Sequence, residues 1–419
     1  MSLDLVVVGL GYVGLPLAQE ACRVSLAVAG LDLSARVVDG LNDGRSHVGD
    51  LSDEDVSRML GAGFRATTDP AVIAEAHTVV ICVPTPLSAD GGPDLSAVRS
   101  AVATVAAHLR PGMLVILEST TYPGTTEEEV LPLLQAGGLR VGEDFYLAFS
   151  PERVDPGNTE FGIRNTPKVV GGVDEASTTV AAAFYGKFVD SVVTARGSRE
   201  AEMAKLLENT YRHINIALVN EMAQFCRELD IDLWDVIRCA STKPFGFQAF
   251  YPGPGVGGHC IPIDPNYLSY QVRAKLGYPF RFVELAQEIN NSMPAYVVQR
   301  VQELLNEDSK PLRGAEVLLL GVTYKADIAD QRQSPAEPLA RQLLSRGARV
   351  SYHDPYVPVW QPGDEVLTRV ADLDAALAGA DLVVLLQTHG SYTPADIADK
   401  SRRILDTRGT LAGAGVERL

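Results

Sequence analysis

The stretch Gly9-Leu10-Gly11-Tyr12-Val13-Gly14 constrains this chain more than any other feature. It comes directly after the apolar run Leu5 to Val8, which predicts a strand, and leads into a helical pattern from Val13 to Arg23. In that setting each glycine has a task. Gly9 permits a tight turn, Gly11 lets a pyrophosphate approach the backbone, and Gly14 lets the helix pack on the strand. The first amides of the helix then point at the phosphate, with Tyr12 and Val13 completing the loop. Asp32, 18 residues past Gly14, ends a second predicted strand, Ala27 to Leu31. A carboxylate there can accept both hydroxyls of a ribose and repels a 2′-phosphate, which favours NAD over NADP. Arg36, one helical turn on, works against that preference. A glycine triplet alone can be an ordinary structural turn; strand, helix and acid in register make it a dinucleotide loop.

Thr78 to Val83 and Leu114 to Leu117 are further apolar runs of buried-strand length, separated by helical segments. That pattern belongs to an α/β fold with a parallel, doubly wound sheet. After about Arg196 the texture changes. From Ser198 to Leu229 there is no Gly or Pro, and Met203, Leu206, Ile214, Leu218, Met222 and Phe225 recur at helical spacing, which predicts one long helix. Helix-rich sequence runs on to about Asn306, broken by the glycine-dense stretch from Tyr251 to Asp264, and a polar segment to Arg313 reads as a linker. Strand and helix alternate again from Glu316, with strands over Val317 to Leu320, Val350 to Tyr352 and Leu382 to Leu386. The chain thus reads as an α/β domain over 1–196, a helical middle over 197–306 and a second α/β domain over 313–419.

Charge narrows the partners. The 419 residues carry 36 basic and 53 acidic side chains, a net charge of −17. Such a chain repels phosphate backbones and anionic membranes, so nucleic-acid binding by bulk charge is excluded, and any phosphate must be held locally by amides and a few placed cations. No apolar run approaches the ~20 residues of a membrane span. The N-terminus lacks the basic stretch of a signal peptide, and five scattered cysteines fit reduced thiols, so a cytoplasmic protein is expected. Lysine is scarce, and none occurs before Lys168; we read this as codon bias.

Several short motifs carry chemistry. Thr85 and Pro86, in Val83-Pro84-Thr85-Pro86, and Thr120, in Glu118-Ser119-Thr120-Thr121, come after predicted strands and so stand at the carboxyl edge where such sheets bind ligands. Ordinary loop chemistry accounts for them equally. Gly253-Pro254-Gly255-Val256-Gly257-Gly258 precedes His259-Cys260 without strand or helix pattern. Backbone of that kind is costly to order and is usually kept for close approach to a ligand. Cys260 reads there as a nucleophile, with Asp264 nearby to order a water or move a proton, or else as a small buried hydrophobe. No second ligand pair at zinc spacing exists, so no metal is expected. On the long helix Lys205 and Asn209 share a face at i, i+4. They are either a solvated stripe continued by Arg212 and His213, or an ammonium and an amide set to stabilise an oxyanion.

Taken together these residues resemble the UDP-glucose/GDP-mannose dehydrogenase family, over nearly the whole chain. The carriers are Val8 to Pro16, Val83-Pro84-Thr85-Pro86, Glu118-Ser119-Thr120 with Gly124-Thr125-Thr126, and Ser150-Pro151-Glu152-Arg153. To these add Lys205 with Asn209, Gly255 to Pro262, Gly321 with Lys325, and Asp330 to Pro335. The resemblance implies two Rossmann-like domains bridged by a helical middle domain with one long helix, a homodimer through that domain, and NAD as cofactor. It implies four-electron oxidation of the C6 alcohol of a nucleotide-diphospho-sugar to a carboxylate. Cys260 is then the nucleophile that captures the C6 aldehyde as a thiohemiacetal and carries the thioester. Lys205 and Asn209 stabilise the C6 oxyanion, Asp264 orders water, Glu152 helps activate it and Thr120 positions it. Arg153 and Gly257 fall among the substrate-binding positions, and Lys325 and Arg332 hold the nucleotide and its phosphates.

Two departures bear on the sugar. Pro156 stands where glucose-oxidising members tend to carry a second glutamate, and Ile263 where many have lysine. Both resemble the branch that oxidises UDP-N-acetylhexosamines, which is itself similar to glucose-oxidising enzymes of antibiotic-sugar pathways. The expected substrate is UDP- or dTDP-glucose, the alternative a UDP-N-acetylglucosamine or N-acetylmannosamine. A reading of another class is a non-catalytic protein that binds NAD or a sugar nucleotide.

Overall fold

The computed structural model describes residues 2–49, 51–88, 92–155, 158, 160–258 and 261–419. Pro156, His259 and Cys260 lie outside these. The chain forms two compact units, Met1–Glu208 with Asn266–Gly277, and Asn209–Pro265 with Tyr278–Leu419.

The first unit is built from β1 (Leu3–Val8), α1 (Gly14–Arg23), β2 (Val28–Leu31), α2 (Ala35–Asn42), α3 (Asp53–Gly61), β3 (Arg65–Thr67), β4 (Ala76–Ile81), α4 (Ser96–Ala106), β5 (Leu114–Leu117), α5 (Leu131–Gln135), β6 (Tyr146–Phe149), β7 (Lys168–Gly172), α6 (Glu175–Tyr185) and β8 (Val192–Thr194). The sheet runs β3-β2-β1-β4-β5-β6-β7-β8. Apart from Asp4 in β1 and His77 in β4, its central strands are buried because helices cover both faces, so they carry long apolar runs. Leu5 and Val7 pack on one face with Leu15, Ala18 and Ala21 of α1, and Val6 and Val8 on the other with Val98, Val102 and Val105 of α4. Strands β1 to β6 run parallel to one another. The expectation of a parallel sheet holds for that part, while β7 turns antiparallel to β6. The chain leaves β1 outward to β2 and β3, then returns to β4 on the other side, which makes the β1–β4 gap the switch point where such sheets take ligands.

The predicted long helix is α7 (Ser198–Glu228), which starts in the first unit and ends in the second. After it come α8 (Leu233–Ala240), α9 (Asp264–Leu276) and α10 (Arg281–Glu307). The second unit continues with β9 (Glu316–Leu320), α11 (Ala336–Ser345), β10 (Arg349–His353), β11 (Val359–Trp360), β12 (Leu367–Thr368), α12 (Leu373–Gly379), β13 (Leu382–Leu385), α13 (Pro394–Lys400), β14 (Ile404–Asp406) and β15 (Val416–Arg418). Its five-stranded sheet, β10-β9-β13-β14-β15, is parallel throughout. Val297, Val301 and Leu304 of α10 seal one face against Leu339 and Leu343 of α11. Among the described residues no helix is long and apolar enough to cross a membrane.

Candidate active site

Register places the first unit's functional residues. Val8 pairs with Leu31 and Ile81, Ile81 with Leu117, and Leu117 with Phe149, so five strands end level. The next residue of each therefore stands on one shared edge: Gly9, Asp32, Cys82, Glu118 and Ser150. Gly9 has φ +92°, and a Cβ there would stand 2.7 Å from the Cys82 carbonyl oxygen. A Cβ on Gly14 would meet the Gly9 carbonyl oxygen at 1.9 Å, so helix and strand touch only because both positions lack one. Gly11 differs: no heavy atom lies within 4 Å of its would-be Cβ, so the protein itself does not fill that space. Val13, at the start of α1, makes no side-chain cap, which leaves the helix amides to a ligand. Asp32 is aimed at the loop, its Oδ2 accepting from the Leu10 amide and its Oδ1 from the Ser34 amide, both at 2.9 Å. Tyr12 and Arg36 are exposed beside it. These residues fit a dinucleotide.

Further along the edge, Ser119 Oγ donates to the Val83 carbonyl at 2.7 Å, and the hydroxyl of Tyr267 on α9 donates to the Thr85 carbonyl next to Pro86. Lys205 Nζ donates to Thr120 Oγ1 at 2.5 Å. One turn earlier on α7, buried Glu202 accepts from the Gly124 amide at 2.6 Å and from the Thr126 amide and hydroxyl at 2.9 and 2.7 Å. Burial pushes its pKa up to about 7, against three donors that favour the carboxylate. Glu152 bends back onto its own loop, Oε1 accepting from the amides of Arg153 and Val154 at 2.8 and 2.6 Å. Arg153 pairs with Glu208 at 2.7 Å and donates to the Pro167 carbonyl at 2.6 Å.

In the second unit, Asn209 Nδ2 donates to Asp264 Oδ2 at 2.6 Å, with both residues buried. The glycine loop is held from below by a buried amide chain. Gly253 N–H donates to Asn220 Oδ1, and Asn220 Nδ2 to Asn290 Oδ1, each at 2.9 Å, and Asn290 Nδ2 reaches the His213 carbonyl at 3.3 Å. The solvated-stripe alternative does not hold for His213, which is fully buried, and burial pushes its pKa down to about 4. Gly257 is hemmed in by the protein, since a Cβ there would stand 2.6 Å from Tyr324 Cβ and 2.7 Å from the Gln333 carbonyl oxygen. Lys325 lies beyond β9 in the loop that Thr323 closes by donating to the Lys325 carbonyl, and Arg332 forms an ion pair with Asp330 at 2.5 Å. A cavity of about 550 Å³ lined by Gln224, Tyr296, Glu303 and Arg346 holds none of these residues. Sequence reasoning passed over Glu202, Asn220 and Asn290; polar side chains on otherwise apolar helix faces were the signal.

The first sheet, with its open glycine loop and a lysine at the same edge, is that of a dinucleotide-linked oxidoreductase. Family models of the UDP-glucose/GDP-mannose dehydrogenases match the whole course of the chain: the NAD-binding domain over residues 3–189, the central domain over 199–292 and the UDP-binding domain over 318–413. The chain belongs to that family and is an NAD-dependent nucleotide-sugar dehydrogenase. It is similar to the UDP-N-acetyl-D-mannosamine dehydrogenase of Methanocaldococcus jannaschii, 34% identical over 97% of this chain and 92% of the relative. Among solved structures it is similar to the UDP-D-ManNAc dehydrogenase of Pyrococcus horikoshii, with TM-score 0.88 and 32% identity over 99% and 98% of the two chains. It also matches a UDP-glucose dehydrogenase of Pyrobaculum islandicum, with TM-score 0.84 and 28% identity over 97% and 94%.

Proposed function

We propose that the chain oxidises C6 of a UDP-N-acetylhexosamine, of the N-acetylmannosamine type, to the carboxylate. This moves the substrate from glucose to the alternative. The N-acetylmannosamine enzymes among its relatives share more of its sequence than the UDP-glucose enzyme does, and Pro156 and Ile263 depart from the glucose pattern in the same direction. NAD, held by Gly9 to Gly14, Asp32, Thr85, Pro86 and Thr120, supplies the hydride acceptor. Lys205 and Asn209 stabilise negative charge developing on the C6 oxygen. The observation that carries this role is that each is already anchored, Lys205 by Thr120 and Asn209 by Asp264, so neither head group must be ordered during reaction. The Cys260 thiol adds to the C6 aldehyde and makes that carbon tetrahedral, so that it has a second hydride to give. The resulting thioester takes one water: its oxygen bonds C6, the C–S bond breaks, and Glu152 carries the proton from the water to the departing thiolate. Asp264 and Thr120 place that water. Lys325 and Arg332 supply the cations for the diphosphate, with Arg153 and Gly257 beside the substrate.

The protein acts as a homodimer in this reading, because Tyr211, Leu218 and Phe225 lie seven residues apart on α7 and are 46, 52 and 46% exposed. The free thiols Cys22, Cys82, Cys226 and Cys239 suit a reducing cytoplasm. The test is NADH formed per sugar with excess NAD and limiting UDP-N-acetylmannosamine, UDP-N-acetylglucosamine, UDP-glucose or dTDP-glucose. Two NADH per sugar, fastest with UDP-N-acetylmannosamine, is expected. One NADH per sugar would remove the role of Cys260, and a preference for UDP-glucose would restore the glucose reading.

A further inference from the structure

Lys168 opens β7 with a side chain only 5% exposed, and none of the proposed catalytic steps uses it. Its ammonium lies 3.1 Å from Glu118 Oε1, 3.3 Å from the Pro151 carbonyl oxygen and 3.6 Å from Glu152 Oε2. Glu118 follows β5, is fully buried and accepts from the Tyr185 hydroxyl of α6. Burial pushes the Cys82 thiol and the Tyr185 phenol well up, so both face the cluster uncharged. The Arg153 guanidinium is turned away to Glu208 and Pro167. Lys168 is therefore the cation facing both carboxylates among the described residues. Burial pushes the Glu118 carboxyl up as well. A plain stabilising staple does not account for this arrangement, because a buried ion pair is generally no better than apolar residues of the same volume. The cluster sits instead at the carboxyl edge, two residues from Thr120 on one side and at Glu152 on the other, where perturbed ionisable groups commonly serve chemistry.

We infer that Lys168 is a positioning residue for thioester hydrolysis, its ammonium fixing the Glu152 oxygen that the loop amides leave free. The Arg153 and Val154 amides hold Oε1, and Oε2 has no hydrogen-bond donor among the described residues; the charge of Lys168 at 3.6 Å orients it. In hydrolysis Glu152 takes a proton from water as the C–O bond forms and returns it to the thiolate as the C–S bond breaks, with no change of oxidation state. This rests on the proposed role of Glu152 in activating water.

The test is rapid-quench kinetics with UDP-N-acetylmannosamine and excess NAD, with intact-protein mass. Lys168→Met is expected to keep a burst of two NADH per site, then to turn over at least tenfold more slowly, with the acyl adduct accumulating on Cys260; Lys168→Arg restores turnover. Wild-type turnover in Lys168→Met, or burst and turnover lost together without adduct, overturns the inference. Should Lys168→Met not fold, the Glu118→Gln/Lys168→Met pair, which keeps the cluster's net charge, is held to the same outcomes. Glu152→Gln separates the two ideas: normal hydrolysis there overturns the role of Glu152 itself, whereas slow hydrolysis there with normal Lys168 variants overturns only the role of Lys168.

Discussion

The two sheets repeat one device and finish it differently. In the first, β1 ends at Gly9 with φ +92°, and the Leu10 amide just after it donates to Asp32 at the end of β2. In the second, β9 ends at Gly321 with φ +78°, and the Val322 amide just after it donates to Asp354 at the end of β10, at 2.8 Å. Asp32 keeps a half-buried carboxylate within reach of a ribose. Asp354 is wholly buried and closed off by His389 Nε2 at 3.0 Å and the Tyr356 amide at 2.9 Å. After its glycine the first sheet has Gly11, Gly14 and a helix start, where backbone amides suit a phosphate; the second has Thr323, Tyr324 and Lys325, where a side-chain cation suits one. The same strand–acid clasp is thus left half open at Asp32 and closed into a loop brace at Asp354, depending on what covers the acid.

The largest effect expected from breaking this arrangement is at Lys205, the proposed oxyanion donor. Lys205→Ala should lower kcat by roughly 10²–10³-fold, the range for losing one preorganised oxyanion donor. NAD affinity, measured by fluorescence titration, should stay near wild type; unchanged kcat would return Lys205 to a bystander. The glycines come next, and they separate the two edges. Gly14→Ala forces a contact at 1.9 Å with backbone and should abolish NAD binding, whereas Gly321→Ala, with Gln387 Cβ at 2.5 Å, should weaken UDP binding and spare NAD. Gly11→Ala sharpens the contrast. With nothing of the protein within 4 Å, it should leave Tm within about 1 °C and still raise the Kd for NAD about tenfold or more, because a methyl group there displaces the cofactor alone. Equal effects of Gly11→Ala on Tm and Kd would mean that the loop, not the ligand, needs that glycine.

The frame was readable because buried strands such as Leu114–Leu117 and a 31-residue α7 without Gly or Pro leave few alternatives. The direction of β7 was not, since Lys168-Val169-Val170-Gly171-Gly172 reads the same whichever way its neighbour runs. In the site, the glycine loop and Asp32 were legible because they act through local backbone. Spacing alone leaves Lys205 and Asn209 between two meanings, and their oxyanion role comes from the family resemblance, because their partners lie far along the chain: Thr120 is 85 residues from Lys205 and Asp264 is 55 from Asn209. Lys168 carried no periodic signal at all; only the fold brings Glu118 and Glu152 to it.

The remaining predictions concern pH, and the two units should respond with opposite sign. Glu202 in the first unit is raised from 4.5 to about 7 by burial, so its contribution to stability is full below the unfolded value and lost as pH rises through about 7. At ~1.4 kcal/mol per unit this is on the order of 3 kcal/mol. Wild type should lose stability between pH 5 and 8 in thermal melts, and Glu202→Gln should flatten that slope; an equal slope in both would show that Glu202 is already ionised at pH 5.

Asp354 in the second unit runs the other way, with the smaller effect. Burial alone would raise its pKa, but the His389 hydrogen bond and the Tyr356 and Val322 amides outweigh it and hold the carboxyl below its usual range. A lowered acid stabilises above its unfolded value, about 3.9, and that contribution is lost only as pH falls below it. Asp354→Asn should therefore be less stable than wild type at pH 7, with the gap narrowing below about pH 4. His389→Phe, which removes the Nε2–H donor but keeps a ring among Tyr356 and Tyr392, should narrow the gap at higher pH by letting the carboxyl protonate sooner. A gap constant from pH 7 to pH 3 would mean that Asp354 braces the Lys325 loop as a hydrogen-bond acceptor alone, and that the charge of the clasp matters only where a ligand reads it, at Asp32.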